Sequence, residues 1–316
     1  MKLVTIGDIR AAAERIASRV VRTPLLASRC SDDDRPLWIK PENLQPVGAF
    51  KVRGAFNAIA LAVDSGAEPG AVVAYSSGNH AQAVAYAAAA FGLPAHIVMP
   101  EETPGIKVRA TRDYGASVVL CAAGEREAVA AGVVAETGGV LIPPFDHPDV
   151  IAGQGTIGLE IAADLPLVRN VLIPVSGGGL ASGIGVALRA LCPQARIFGV
   201  EPELAADTAD GLARGHRVDW QIQQRNRTIA DGLRSQPSDL TFAHLQQVLD
   251  GMVTVSEAEI RTAVSALAYR DHLVGEPSGA VALAAYRQGA TPPGSTVVIL
   301  SGGNIDPQML REILAE

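Results

Sequence analysis

The sequence predicts an α/β protein whose sheets are doubly wound and mostly parallel. From about residue 70 onward, short apolar runs alternate with stretches of helical periodicity, as in repeated strand–helix units. Three of the apolar runs end in a serine-glycine turn, at 72–79 (VVAYSSGN), 171–180 (VLIPVSGGGL) and 297–304 (VVILSGGN). Alanine, glycine and valine dominate the 316 residues, a composition that suits helices packed closely on a parallel sheet.

The elements are expected in the following order. Residues 1–16 form an amphipathic pattern, which predicts an N-terminal helix rather than a signal peptide. Apolar runs predict strands at residues 71–75, 95–99, 117–120, 171–175, 197–200 and 297–300. Helical patterns lie between most of them, at residues 55–63, 81–91, 105–114, 125–137 and 180–191. Residues 207–245 are rich in charge and poor in strand patterns, so we expect that region to be irregular or surface-exposed.

Composition excludes several kinds of partner. The formal net charge is −7 and no basic run occurs, so neither nucleic acid nor an anionic membrane surface is an expected partner. The longest apolar stretch, residues 83–99, holds Gly92 and Pro94, which predicts a helix, a turn and a strand rather than a membrane span. Cys30, Cys121 and Cys192 are scattered and form no CxxC motif, which favours free thiols and a cytoplasmic protein.

The middle serine-glycine turn is a candidate phosphate site. Ser176, Gly177, Gly178 and Gly179 leave backbone N–H groups accessible, and the helix that follows adds unpaired donors and the positive end of its dipole. The loop lacks the Gly-Lys-Ser/Thr ending of a Walker A loop, and it matches a dinucleotide fingerprint only weakly, with Glu201 as the acidic residue. The alternative is that the glycines only allow a helix to pack closely on a strand.

Lys51 is a candidate nucleophile. It lies in GAFKVRGA (48–55), among small and apolar residues and directly after Phe50. Burial would lower its pKa and leave a free amine of the kind that forms Schiff bases with aldehydes. The alternative is an ordinary lysine at a helix start, whose ammonium reaches solvent.

The remaining candidates are polar turns and one acidic segment. In SSGNH (76–80), hydroxyls, an amide and helix N–H groups converge, which suits a small carboxylate or a ring hydroxyl, unless a Ser or Asn simply caps the helix. The turn at 301–304 is a further candidate, and the alternative is that it only reverses the chain. Glu201 and Asp207, with Glu203 between them, are candidate ligands of Mg²⁺ or Ca²⁺ or else part of a solvated acidic loop. The histidines lack paired-ligand spacing, so zinc is not expected.

A reactive lysine and a phosphate site together suit one aldehyde cofactor, pyridoxal 5′-phosphate (PLP). The segments PENLQPVGAFKVRGAFNA, SSGNHAQAVAYAA, PVSGGGLASGIGVAL, GVEP, TIADGL, EPSGAVALAA and SGGN occur in that order. They resemble the serine/threonine dehydratase and serine racemase family of fold-type-II PLP enzymes over nearly the whole chain.

The resemblance implies a tryptophan synthase β-like fold, with two doubly wound, mostly parallel sheet domains and the cofactor between them. The large PLP-binding domain would comprise residues 1–70 and 148–316, and the small substrate-closing domain residues 71–147. The prolines between 143 and 148 lie at the expected crossing.

The resemblance also implies roles for individual residues. Lys51 matches the lysine that holds the cofactor as a Schiff base and then moves the Cα proton. The implied cofactor-binding residues are Lys51, Phe50, Asn79 at the ring hydroxyl, Ser301 at the pyridine nitrogen, and Ser176, Gly177, Gly178, Gly179 and Leu180 at the phosphate. The implied substrate-binding residues are Ser76, Ser77, Asn79 and His80, and Ser77 also matches the opposite-face acid/base of the racemases. The implied ligands of Mg²⁺ or another divalent cation are Glu201, the carbonyl of Ala205 and Asp207.

The implied activity is that of an ammonia-lyase. A small β-hydroxy amino acid, threonine or serine first and 3-hydroxyaspartate next, would give a 2-oxo acid and ammonia by β-elimination. A serine or aspartate racemase, a β-replacement enzyme and a non-catalytic PLP- or nucleotide-binding protein are the alternatives, and Lys51 argues against the last. Two departures from the family pattern are Ala49, where a hydroxyl residue is usual, and Ser176, at the first loop glycine. A homodimer is expected.

Overall fold

Two separate sheets organise the residues that the computed structural model describes, which are 2–66, 69–122 and 124–316. The larger sheet is built from β1 (Leu26–Ala27), β2 (Leu37–Pro41), β7 (Asn170–Pro174), β8 (Arg196–Pro202), β9 (Gly251–Val255) and β10 (Thr296–Leu300). Its order is β1-β2-β10-β7-β8-β9, and every pair is parallel except β1–β2.

The smaller sheet is parallel throughout. It is built from β3 (Val72–Tyr75), β4 (Ala95–Pro100), β5 (Ser117–Cys121) and β6 (Val140–Leu141), in the order β5-β4-β3-β6. All four strands fall in one continuous stretch of the chain, whereas the strands of the larger sheet come from both sides of it.

Helices cover both sheets. In the described part of the chain they are α1 (Ile6–Ile16), α2 (Lys51–Asp64), α3 (Asn79–Ala90), α4 (Gly105–Asp113), α5 (Arg126–Thr137), α6 (Pro148–Asp164), α7 (Gly179–Leu191), α8 (Asp207–Arg214), α9 (Ile222–Arg225), α10 (Asp239–Val248), α11 (Glu257–Ala266), α12 (Pro277–Arg287) and α13 (Pro307–Leu314). Short 3₁₀ helices lie at Glu42–Leu44, Glu203–Ala205 and Asp231–Leu233, and a π-helix spans Leu267–Asp271. Across the described ranges, no helix combines the length and the apolar character that crossing a bilayer requires.

The predicted α/β class with doubly wound, mostly parallel sheets is confirmed. Each predicted strand is present, with ends that differ by one or two residues, and the N-terminal helix begins at Ile6. Met1, which falls in the stretch predicted for that helix, lies outside the described residues, as do residues 67, 68 and 123.

The prediction for residues 207–245 is wrong in part. No strand lies there, as expected, but α8 and most of α10 form regular helices with buried residues. Ser238 and Thr241 form a capping box that begins α10, and Phe242, Leu245 and Val248 are buried. Most charged residues of this region therefore lie away from the buried sides of these helices, with Asp207 as a buried exception.

Helix α6 lies at the centre of the helix packing and holds α2 in place. A Cβ on Gly153 of α6 would lie 2.7 Å from the Arg53 carbonyl oxygen of α2, and one on Gly54 would lie 2.3 Å from the Gln154 side chain. Glycine is therefore needed on both helices for this close approach. The contact determines where α2 begins, and its first residue is Lys51.

A buried charge network joins α2, α6 and the segment after β2. The Arg53 guanidinium donates to both carboxylate oxygens of Glu42 at 2.8 Å and to Glu160 at 2.6 Å, and Lys40 Nζ also contacts Glu160 at 2.5 Å. Burial would raise the pKa of Glu42, but the charge and hydrogen bonds of Arg53 outweigh that effect and hold the pKa below its usual value. Removing one member would leave an uncompensated buried charge.

We therefore expect Arg53→Met to lower the free energy of unfolding by about 3–5 kcal/mol, because Glu42 and Glu160 lose their buried partner. The matched control is Arg22→Met, which breaks the surface pair with Asp164 and should cost no more than about 1 kcal/mol. Denaturant unfolding followed by circular dichroism measures both. Equal losses in the two variants would contradict the importance of the network.

Candidate active site

The candidate residues lie at the carboxyl ends of strands β10 and β7 of the larger sheet and β3 of the smaller sheet. Strand β10 runs into Ser301, β7 into the glycine loop, and β3 into the turn that starts at Ser76. This edge of an open α/β sheet is where ligands usually bind, because loops and helix N-termini converge there. The structure thus brings all three serine-glycine turns of the sequence to the same side of their sheets.

Lys51 is the first residue of α2, and its amine lies against neutral protein atoms. Nζ donates to the Pro144 carbonyl at 2.7 Å and lies 5.0 Å from the centre of the Phe50 ring. Burial lowers the pKa of Lys51 to about 8, although the residue as a whole keeps partial exposure. A substantial fraction of a nucleophilic amine is therefore present near neutral pH.

Two consecutive residues connect Lys51 with the glycine loop. Pro144 accepts the hydrogen bond from Lys51, and the ring of Phe145, the next residue, packs on the loop. A Cβ on Gly177 would lie 2.2 Å from the Phe145 ring, and one on Gly179 would lie 3.0 Å from the Phe145 Cβ. The reactive amine and the predicted phosphate site are therefore neighbours in space, although about 125 residues separate them in sequence.

The glycine loop has an open helix end. Gly178 is the N-cap of the 13-residue helix α7, has φ +87°, and provides no side-chain cap. The first N–H groups of α7 thus lack a side-chain acceptor, and the helix dipole favours an anion at that place. Packing on Phe145 also requires Gly177, so the packing explanation and the phosphate explanation both apply to this loop.

Ser176 does not simply add a hydroxyl to the loop. Its Oγ accepts a hydrogen bond from the Ser235 N–H at 3.0 Å and donates to the Ser235 carbonyl at 3.2 Å. The hydroxyl therefore ties the glycine loop to the segment before α10. This departure from the glycine of the family pattern has a structural partner in the same chain.

The C-terminal turn pairs with the segment that carries Lys51. The Phe50 N–H donates to the Ser301 carbonyl at 3.1 Å, and Ala49 forms an antiparallel bridge with Gly302. The Gly303 N–H donates to the Gly48 carbonyl at 2.9 Å. Ser301 is 5% exposed and lies beside Phe50 and Lys51. The turn at 301–304 is thus part of the site and is more than a chain reversal.

Asn79 is held by two other polar side chains. Its Nδ2 donates to Glu276 Oε1 at 2.6 Å, and its Oδ1 accepts from Asn304 Nδ2 at 2.8 Å. Burial raises the pKa of Glu276 to about 7, with a further increase from the negative charge of Asp231. Glu276 and Asn304 were not among the predicted site residues, although both lie in the quoted motifs EPSGAVALAA and SGGN.

The turn before α3 leaves a second helix end uncapped. Gly78 is the N-cap of α3 and provides no side-chain hydrogen bond, so the alternative that a Ser or Asn caps this helix is wrong. Ser76 Oγ instead accepts from the Gly78 N–H at 3.2 Å, and Ser77 is half-buried. The N-terminus of this 12-residue helix is therefore suited to a carboxylate.

His80 is buried in the first turn of α3 and is neutral. Its Nε2 donates to the Ile142 carbonyl at 2.8 Å, which leaves Nδ1 as an acceptor, and Nδ1 has no partner among the described residues. Burial and then the positive charge of Lys51 lower the pKa of His80 to about 3.

The predicted cation ligands also lie together. Glu201 accepts from the N–H groups of Thr208 at 3.1 Å and Ala209 at 2.9 Å, while both carboxylate oxygens of Asp207 are buried without a partner among the described residues. Burial raises the pKa of Glu201 to about 8 and that of Asp207 to about 7, and Asp207 contributes to the shift of Glu201. Ala205 is buried at the end of the 3₁₀ helix before α8.

The residues present fit PLP and a hard cation. An uncapped helix end behind a glycine loop suits a phosphate, and a desolvated lysine beside it suits an aldehyde. The unpartnered oxygens of Asp207 next to Glu201 are the donor type that Mg²⁺ and Ca²⁺ prefer. In the part of the chain described, no group of three or more His, Cys, Asp and Glu side chains is suited to a metal, so a carbonyl or water ligand would be needed.

Comparison with known proteins gives one consistent result. A family model for "Pyridoxal-phosphate dependent enzyme" matches residues 16–303. The L-threonine ammonia-lyase of Geobacter sulfurreducens is 43% identical over 313 residues, which cover 97% of this chain and 77% of that protein. The L-threo-3-hydroxyaspartate ammonia-lyase of Saccharomyces cerevisiae is 42% identical over 322 residues, with 100% and 98% covered. The structure of maize serine racemase superposes with a TM-score of 0.93 at 38% identity and covers 99% of this chain and 98% of that one.

Proposed function

The chain belongs to the pyridoxal-phosphate dependent enzymes, and we propose that it is an ammonia-lyase acting on a small β-hydroxy amino acid. Threonine and serine are the first candidate substrates, and the products would be a 2-oxo acid and ammonia. The relatives named L-threonine ammonia-lyase support the reaction class. The relative named L-threo-3-hydroxyaspartate ammonia-lyase makes that amino acid the next candidate.

The observation that carries the proposal is the link through Pro144 and Phe145. The carbonyl of Pro144 holds the amine of Lys51, while Phe145 packs on the phosphate-binding loop. An aldehyde that carries a phosphate can then contact both groups at once. A protein that only binds a phosphate has no use for a desolvated lysine at that distance.

The cofactor, when bound, supplies an electron sink that makes the Cα proton of an attached amino acid acidic. The N–H groups of residues 177–180 would hold its phosphate, Asn79 its ring hydroxyl and Ser301 its ring nitrogen. Ser301 offers a neutral hydroxyl, so it does not hold a proton on that nitrogen as a carboxylate would. This favours prompt elimination over a long-lived carbanion.

Lys51 would move the Cα proton. A pKa of about 8 lies close to physiological pH, where a general base combines adequate strength with adequate population of the free amine. The Pro144 carbonyl orients Nζ without adding a charge. Lys51 Nζ would hold the cofactor at rest and, as the free amine, would accept the Cα proton of the substrate.

The substrate carboxylate would bind at the open end of α3. The N–H groups there, with Ser76, Ser77 and Asn79, present donors, and the neutral His80 beside them adds no negative charge. Ala49 offers no hydroxyl at the position where the family pattern has one, so selection of the β-substituent would rest with the surrounding groups. Ser77 lies in this turn, which supports a racemase as the second candidate function, together with the likeness to serine racemase.

Residues 71–147 would form the small domain that closes over the substrate, and residues 1–70 and 148–316 the large domain. Supporting this division, the four strands from Val72 to Leu141 form their own sheet. Contacts between the two halves include the Lys107–Asp231 ion pair and the hydrogen bonds that join Lys51 to Pro144, Asn79 to Glu276 and Asn304 to Asn79.

We propose a homodimer in the cytoplasm. The exposed apolar side chains of Leu44, Tyr269 and Val274 support a contact with a second copy, and Asn43 bonds to the Val274 carbonyl beside them. A monomer mass in equilibrium sedimentation would contradict the dimer.

Glu201, Asp207 and the carbonyl of Ala205 would hold Mg²⁺ or another divalent cation. The cation would neutralise two buried carboxylates and brace the start of α8 against the end of β8. Its expected contribution is to the stability of the fold.

The function is tested by incubating the PLP-loaded protein with L- and D-threonine, L- and D-serine and threo-3-hydroxyaspartate. We expect 2-oxo acid from at least one of them, and Lys51→Ala should lower the rate by about 10³-fold or more, because the base is lost. Lys2→Ala, an exposed lysine at the N-terminus, is the matched control and should not change the rate. Turnover of L-serine to D-serine without 2-oxo acid, abolished by Ser77→Ala, would replace the lyase by the racemase.

The cation site is tested by thermal melting after treatment with a chelator. Adding Mg²⁺ back should raise the melting temperature of the wild type by several degrees, because binding favours the folded state. The Glu201→Gln, Asp207→Asn double variant should show no such rise, whereas the exposed neighbour Glu203→Gln should respond like the wild type. A wild-type melt that neither chelator nor Mg²⁺ changes would count against the site.

A further inference from the structure

A line of side-chain hydrogen bonds runs from the backbone of Val47 to Glu276. Asn304 Nδ2 donates to the Val47 carbonyl at 2.9 Å and to Asn79 Oδ1 at 2.8 Å. Asn79 Nδ2 then donates to Glu276 Oε1 at 2.6 Å. Asn304 and Glu276 have none of the roles that the family resemblance implies, and the proposed reaction uses neither side chain.

The order of donors and acceptors along this line is determined from its ends. A backbone carbonyl only accepts, so the NH₂ group of Asn304 must face Val47, and its second hydrogen faces Asn79. Asn79 therefore turns its oxygen toward Asn304 and its NH₂ group toward Glu276. The two ends of an amide have nearly the same shape, so only these partners decide which end of Asn79 points where.

Two glycines leave the space that the line occupies. A Cβ on Gly302 would lie 2.2 Å from Glu276 Oε1 and 3.0 Å from Asn79 Nδ2. A Cβ on Gly48 would lie 2.6 Å from Asn304 Oδ1, and Gly48 also has φ +71°. These glycines belong to the segments next to Lys51 and Ser301, so the line of bonds and the predicted cofactor site are built from the same turns.

We infer that Glu276 and Asn304 are positioning residues for Asn79: they fix its amide so that the remaining N–H of Nδ2 is directed to the ring hydroxyl of PLP. The inference rests on the proposed binding of that hydroxyl by Asn79. The carboxyl group of Glu276 is suited to this task because its oxygens accept from the Asn79 amide and from the backbone N–H of Asn304. A glutamine there would present a donor to one of these two N–H groups.

The experiment is a double-mutant cycle on the apoprotein, with the dissociation constant of PLP and the absorption spectrum of the bound cofactor as readouts. Glu276→Gln should weaken PLP binding by about tenfold, the effect of one lost charge-assisted hydrogen bond. It should also change the ratio of the absorption bands, which reports the proton of the ring hydroxyl. Glu136→Gln makes the same chemical change on an exposed face of α5 and should leave both readouts as in the wild type.

The Asn79→Ala background separates a positioning effect from a general structural one. If Glu276 acts through Asn79, Glu276→Gln should have no further effect on PLP binding once Asn79 is alanine. An equal loss in both backgrounds would overturn the inference, and so would a wild-type affinity and spectrum in Glu276→Gln. If apo melting shows that Glu276→Gln does not fold, Asn304→Asp, which cannot donate to Asn79, is measured in the same cycle with the same criteria.

Each negative result of this experiment contradicts a different proposal. If Asn79→Ala weakens PLP binding but Glu276→Gln and Asn304→Asp do not, only the positioning inference fails. If Asn79→Ala binds PLP like the wild type, the proposed binding of the ring hydroxyl by Asn79 fails, and the inference with it. If the wild-type protein binds no PLP, the proposed function itself fails.

Discussion

The buried network around Arg53 is the interaction on which the position of Lys51 depends. Arg53 lies two residues into α2 and is held by Glu42, which follows β2, and by Glu160 of α6. Lys40 also belongs to this network, because its ammonium forms an ion pair with Glu160. Lys51, on another face of the helix, donates to the neutral carbonyl of Pro144 and lies over the Phe50 ring. Burial lowers the pKa of both lysines, but Lys40 is paired with a carboxylate, whereas the contacts described for Lys51 are with neutral groups.

Much of the fold and part of the site could be predicted from local sequence. Alternating apolar runs indicated the parallel strands, and the serine-glycine turns marked the strand ends where Lys51, Asn79 and Ser301 now lie. Helix α6 has no clear polar face, because it is buried on nearly all sides, so periodicity did not indicate it. Glu276 and Asn304 contact Asn79 across 197 and 225 residues, and Phe145 contacts the glycine loop from the domain crossing. Contacts of that range arise from the packing of the two sheets and leave no local pattern.

Two helix N-termini in the site are suited to bind anions. The N-cap residues of α3 and α7 are glycines that provide no side-chain cap, so the first N–H groups of each helix are suited to an anion. The end of α7 suits the cofactor phosphate and the end of α3 the substrate carboxylate. The reacting carbon of the substrate would then lie between them, near Lys51. We propose that Ala49, Ser77 and His80 select among β-hydroxy amino acids; the similar proteins are named for different activities.

The most direct measurement is to reduce the PLP-loaded protein with borohydride over a range of pH and to locate the phosphopyridoxyl group by peptide mass spectrometry. The chain has four lysines, Lys2, Lys40, Lys51 and Lys107, so the assignment is unambiguous. We expect the label on Lys51 alone, with a rate of cofactor capture by the apoprotein that rises with pH through a midpoint near 8, because the free amine is the reactive form. A label on Lys40 or Lys107, or a midpoint near the ordinary lysine pKa of about 10.4, would contradict the account.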